Sequence, residues 1–147
     1  MKNYLLGSIA LLILFFLGYH FWTAVSFDNI KNIKIAGQEI GVELASTTTE
    51  QNKGLSGRSE LLENSGMLFV FAEPGEHSFW MKDMNFPIDI IWLSSDMKVV
   101  YIKKNATPET YPEAFTPDVD AKYVLEISAG FSDKNGLKAG DDALFTY

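Results

Sequence analysis

Four charged side chains sit in or beside apolar runs, where charge is expensive. Lys82 follows Phe79-Trp80-Met81, Asp89 lies between Ile88 and Ile90, Glu126 lies between Leu125 and Ile127, and Arg58 closes the stretch Gly54-Leu55-Ser56-Gly57. A charge taken out of water must be paired, hydrogen-bonded or neutralised. A carboxyl group beside a cation can also move protons or hold a polar ligand. If these segments are strands, alternation puts Trp80 and Lys82 on one face and Phe79 and Met81 on the other. The same rule separates Pro87, Asp89 and Ile91 from Ile88, Ile90 and Trp92. Two arrangements are open. In the first, the charges reach solvent or pair with one another and with Arg58. In the second, they line a pocket in which Trp80 is an aromatic platform and Arg58, Lys82, Asp89 or Glu126 supplies polar contacts.

Other chemistries find little support. The chain has no cysteine, which removes disulfides, thiol nucleophiles and thiolate metal sites. Of its two histidines, His20 lies in the apolar N-terminal run and His77 stands far from it, so no multi-histidine metal site is expected. Asp118, Asp120 and Glu113 fall in an acidic loop that lacks the glycine and final glutamate of a regular calcium loop. The stretch Gly136-Leu137-Lys138-Ala139-Gly140-Asp141 lacks the Lys-Ser or Lys-Thr pair of a phosphate-binding loop. No cofactor and no metal are expected. The net charge of −7, with Arg58 the only arginine, argues against nucleic acid as a partner.

The elements that must position these residues are short and mostly strands. Residues 33–45 alternate as a hairpin about Gly37-Gln38. Thr47 with Glu50 three positions on has the form of a capping box, opening a short helix that Gly54 and Gly57 end. "GMLFVF" (66–71) reads as a strand buried on both faces and central in its sheet, with a turn at Pro74-Gly75 and "SFWMK" (78–82) as its return strand. "FPIDIIWL" (86–93) and "KVVYIKK" (98–104) read as a hairpin about Ser94-Ser95-Asp96, with Pro87 at a strand start or on an edge. Residues 105–121, rich in proline and acids, read as a surface loop. "KYVLEI" (122–127) is a further strand, followed by one helical turn capped by Ser132 and stopped by Gly136. "ALFTY" (143–147) closes the domain. The fold class is all-β: a compact β-sandwich or partly closed barrel with one or two short helices.

An N-terminal transmembrane helix is expected in addition. Tyr4 to Val25 carries no formal charge and is long enough to cross a hydrocarbon core of about 30 Å. Its length, and bulky Trp22 and Val25, favour an uncleaved anchor over a signal peptide cut after Ser26. Residues 1–26 are therefore the signal anchor or signal peptide, 27–32 a linker and 33–147 the β-domain. Lys2 and the amino terminus place the N-terminus inside. The domain is then extracytoplasmic on a single-pass membrane protein, or secreted if the segment is cleaved.

The order of motifs "Gly54-Leu55-Ser56-Gly57-Arg58", "GMLFVF", "SFWMKDMNFPIDIIWL", "YVLEISAG" and "NGLKAGD" resembles the family called domain of unknown function 192, over about residues 33–145. The resemblance implies a compact, mainly β domain, often exported, with no established activity. Its pattern usually has Asn after Trp-Met-Lys, where this chain has Asp83. The positions matching its motifs are Arg58, Trp80, Lys82, Pro87, Asp89 and Glu126. The reading that joins these strands is a membrane-tethered binding or interaction module. Its partners are the membrane, through the N-terminal helix, and an envelope polymer or protein. One alternative is a small hydrolase or lyase using Asp89 or Glu126 as base with Lys82 or Arg58 as charge stabiliser. Another is a structural accessory subunit of a membrane complex.

Overall fold

The computed structural model describes residues 30–146. The expected membrane segment lies outside the described residues; within them no helix is long and apolar enough to cross a membrane. The described residues form nine strands: β1 (Asn32–Ile35), β2 (Gln38–Ala45), β3 (Ser65–Gly75), β4 (Phe79–Trp80), β5 (Ile88–Leu93), β6 (Val99–Ala106), β7 (Ala114–Phe115), β8 (Ala121–Ser128) and β9 (Ala143–Thr146). Two short helices, α1 (Thr48–Lys53) and α2 (Phe131–Lys134), and a 3-10 turn at Pro108–Thr110 complete it. Seven strands make one sheet in the order β6-β5-β8-β3-β2-β1-β9, while β4 and β7 pair separately.

The large sheet curls into a half-barrel. Its edges meet at one corner, where the Ala143 N–H donates to the Met97 carbonyl at 2.8 Å and the Val99 N–H to the Asp141 carbonyl at 2.9 Å. A Lys98–Asp142 ion pair sits on the same seam. The fold is thus the partly closed barrel of the two expected architectures. One face of the sheet packs around Ile33, Ile40, Leu68, Ile91, Leu93, Leu125 and Leu137. The other packs Phe69, Phe79, Met81, Ile88, Ile90, Trp92 and Val124 under α1 and the β4–β7 pair. Coverage on both sides explains why β5 is buried at every position and why "GMLFVF" reads as a continuous apolar run. That segment is the fourth of seven strands, antiparallel to β8 and parallel to β2. At Gly66 a Cβ would stand 2.7 Å from the Glu126 carbonyl oxygen, so only glycine lets β3 and β8 approach this closely.

Several local expectations change. The first hairpin turns at Ala36-Gly37, one residue earlier than Gly37-Gln38, because Ile35 faces Gln38. Both turn residues have positive φ, +48° and +75°, the form that matches strand twist. β3 runs through Pro74-Gly75 instead of turning there, and "SFWMK" is not its return strand. Both edges of β3 are already occupied by β2 and β8, so only Phe79–Trp80 stays extended and it pairs with β7. The 105–121 segment is not wholly a surface loop, since Phe115 of β7 is buried. Helix α2 is capped by Gly130, not Ser132, which lies buried inside the helix. The β5–β6 hairpin forms as expected, with Pro87 immediately before the strand.

Candidate functional site: a buried carboxyl group under an open cleft

Helix α1 forms one wall of a cleft of about 280 Å³. The expected capping box holds it: Thr47 Oγ1 accepts from the Glu50 N–H at 3.3 Å, and Glu50 Oε2 accepts from the Thr47 N–H at 2.9 Å. Gln51 Nε2 donates to the Val70 carbonyl at 2.9 Å and stitches the helix to β3. The helix ends at Gly54, whose φ of +48° disfavours other residues. A Cβ there would stand 3.3 Å from the Phe69 ring and 3.8 Å from Glu126 Oε2. Glycine thus lets the backbone pass close over the ring and the carboxyl group.

The opposite wall is aromatic. Phe79 meets Phe69 edge-to-face at 4.8 Å and Trp92 at 5.7 Å. Phe71 stacks on His77 with ring centroids 3.4 Å apart. His77 is half-buried, its Nε2 has no partner, and burial pushes its pKa down. Trp80 stands at the rim, 56% exposed, its ring braced edge-to-face by Tyr111 at 6.4 Å.

Glu126, on β8, lies at the floor. Only 5% of the residue is exposed, and Oε2 has no hydrogen-bond partner among the described residues. Burial away from water raises its pKa to about 8, opposed by the charge of Arg58. The carboxyl group is therefore neutral at pH 7, a proton donor without a protein acceptor at Oε2 among the described residues.

The other sequence candidates are distributed differently. Of the charges that could have paired with Arg58, neither Asp89 nor Glu126 does so. Arg58 makes a two-pronged ion pair with Glu43 of β2, Nη1–Oε1 at 2.6 Å and Nη2–Oε2 at 2.7 Å, which holds the Glu43 pKa down. A fork onto a carboxylate satisfies the guanidinium more completely than a neutral carboxyl group would. Lys82 is exposed and works through its backbone, whose carbonyl accepts from Ser56 Oγ at 2.8 Å. Asp83 has φ of +55° and its carbonyl accepts from the Gly57 N–H at 2.8 Å. Asn and Asp both adopt this left-handed backbone readily, so Asp83 suits the local geometry as Asn would.

Asp89 is fully buried and does not line the cleft. Its carboxylate accepts from the N–H groups of Ser132 at 2.8 Å, Asn105 at 2.9 Å and Gly130 at 3.3 Å. It ties α2 and the end of β6 to β5, which is a structural task. Of the sequence candidates, the cleft brings together only Trp80 and Glu126, with Arg58 acting on Glu126 through its charge. Sequence reasoning missed Gly54, Phe69, Phe71 and His77. The phenylalanines look like ordinary core in a buried strand, and His77 was weighed only as a metal ligand. Among the described residues no group of three or more histidines or acids could hold a metal ion.

The fold and site define an all-β half-barrel with a buried, uncharged carboxyl group beneath an aromatic-walled cleft. The chain belongs to the DUF192 family, an uncharacterized ACR, whose model matches residues 31–145. It is similar to a crystal structure of a protein of unknown function from Novosphingobium aromaticivorans DSM 12444, at 34% identity and a TM-score of 0.74, covering 82% of this chain and 89% of that one. It is also similar to a candidate transcription regulator from Sinorhizobium meliloti 1021, at 29% identity and a TM-score of 0.72, covering 78% of this chain and 90% of that one. No curated protein matches significantly.

Proposed function

We propose that this chain is a membrane-tethered binding module that works outside the cytoplasm and holds an envelope polymer or protein partner in the α1–β4 cleft. The observation that carries the reading is Glu126, a buried carboxyl group that lines the cleft and whose Oε2 has no hydrogen-bond partner among the described residues, with an exposed tryptophan at the rim. Leaving such a group unsatisfied costs roughly 1–3 kcal/mol, a cost that a bound ligand would offset. The cleft joins aromatic side chains to polar ones such as Gln51, Asn52 and Glu126, and ligand sites use apolar surface for contact and polar groups to fix orientation. The tether rests on the uncharged run Tyr4–Val25. An acid–base enzyme would have to work with Glu126 without Asp89, whose oxygens are engaged elsewhere.

Two measurements test the proposal. Protease added to intact spheroplasts should digest the domain, and protection of the domain would contradict the orientation. Full-length protein in detergent should co-sediment with washed envelope fragments, and Trp80→Ala should largely abolish this. Equal sedimentation of both proteins would contradict the cleft as the binding site.

A further inference from the structure

Resting on that reading, we infer that the cleft receives the acetamido group of an N-acetylated amino sugar in an uncharged glycan, with the sugar ring lying against Trp80. Glu126 Oε2 lacks a partner, and the group is protonated at neutral pH, its pKa being raised to about 8 by burial. It therefore calls for a neutral hydrogen-bond acceptor, such as an amide carbonyl oxygen. Beside it, Phe69, Phe79 and Met84 line the cleft and offer an apolar seat for a methyl group. An acetamido group carries both features on adjacent atoms.

The rim fits the rest of a sugar. Trp80 is 56% exposed, and its ring is held edge-on by Tyr111. A braced, exposed tryptophan gives a flat apolar surface with little side-chain entropy left to lose. Asn52, Ser56 and Ser78 also line the cleft; the Ser56 hydroxyl donates to the Lys82 carbonyl and the Ser78 hydroxyl bonds Thr116, which leaves lone pairs on them to accept from sugar hydroxyls. At about 280 Å³ the space suits one ring and its substituent rather than a larger ligand.

The charged groups around Glu126 are of both signs. Lys53 at the end of α1 and Glu76 in the turn after β3 line the cleft, Arg58 acts on Glu126 from beyond α1, and His77 beside Glu76 is held towards its neutral form by burial. This mixture selects neither a cation nor an anion. A peptide bound through its main chain would need a free strand edge. Here β3 and β8, which supply Phe69 and Glu126, each have neighbours on both sides, so the ligand meets a sheet face and not an edge.

The test is calorimetric titration of the full-length protein in detergent with tri-N-acetylchitotriose, its de-N-acetylated trimer and cellotriose. The acetylated trimer should bind, and each of the others should bind at least about tenfold more weakly. Trp80→Ala, at an exposed position, and Glu126→Leu, checked for folding by its melting curve, should each weaken binding by about tenfold or more. Wild-type affinity should fall as pH rises through about 8, where Glu126 loses its proton. Failure of the folded wild type to bind the acetylated trimer, or equal binding of cellotriose, overturns the inference. If envelope sedimentation then still depends on Trp80, the binding module stands and only the ligand class falls. Tighter binding of an acetyl-lysine peptide than of the trimer would likewise overturn the glycan and point to a protein partner.

Discussion

Asp89 and Glu126 sit on neighbouring strands and face opposite ways. Asp89 pairs across β5–β8 with Ile127, and Ile90 with Glu126. Both acids are embedded between large aliphatic residues and both are buried. Yet one accepts hydrogen bonds from three backbone N–H groups, and the other has an oxygen with no partner. The difference lies in what covers each face. The backbone entering α2 folds over Asp89 and aims its free N–H groups at it. Over Glu126 comes the end of α1, where Gly54 and a ring of aromatics supply no donor within bonding distance. The same residue class in the same sequence setting thus does two jobs: one carboxylate fastens the fold, and the other keeps its proton facing a cleft.

The comparison breaks most visibly at Asp89. Asp89→Ala should leave the buried N–H of Ser132 and the part-buried N–H groups of Asn105 and Gly130 without their acceptor and cost roughly 3–5 kcal/mol, read from urea denaturation midpoints. A loss below about 1 kcal/mol would show that this carboxylate fastens nothing.

Glu126→Gln should act in the opposite direction. In the unfolded chain the group ionises near 4.5, whereas in the fold it keeps its proton up to about 8. The native state therefore binds the extra proton across that window. Its contribution is fully present below about pH 4.5 and is lost as pH rises to about 8, by roughly 1.4 kcal/mol per pH unit. Glutamine keeps the shape without the ionisation. It should raise stability by about 2–3 kcal/mol at pH 7 and flatten that part of the stability profile. Denaturation at pH 5, 7 and 8.5 would show it, and parallel profiles for both proteins would contradict the assignment.

Smaller effects sharpen the picture of the cleft wall. Thr47→Ala removes the α1 cap and should cost about 1 kcal/mol, with a matching loss of hydrogen-exchange protection over residues 48–53. The Arg58–Glu43 pair is partly exposed, so a double-mutant cycle should give at most about 1 kcal/mol of coupling. A cycle between Arg58 and Glu126 should give less still, because those two share no ion pair.

Much of this was legible in the sequence, for identifiable reasons. The capping box at Thr47 and Glu50, the β5–β6 hairpin and the central apolar strand are local signals, complete within a few residues. The face assignments of Trp80 against Met81 and of Asp89 against Ile90 follow from alternation alone, and the structure keeps them. What failed was non-local. Nothing in "SFWMK" reveals that both edges of β3 are taken by β2 and β8, so a pairing with β7 was invisible. Arg58 was expected to seek a buried acid, but Glu43 lies in a strand whose parallel pairing with β3 no local pattern announces. Asp89 and Glu126 could be singled out as costly. Which of them would be satisfied depended on donors contributed from residues 105, 130 and 132, far along the chain from Asp89.

The most direct measurement is a carbon-13 NMR titration of the side-chain carboxyl groups in glutamate-labelled protein. One glutamate signal should titrate with a midpoint near 8 and vanish in Glu126→Gln, while the signal of Glu43 titrates below the ordinary glutamate range. If every glutamate carboxyl group in the folded wild type instead loses its proton at or below its ordinary value of 4.5, Glu126 is not held protonated beneath the cleft, and the contrast between the two buried acids fails.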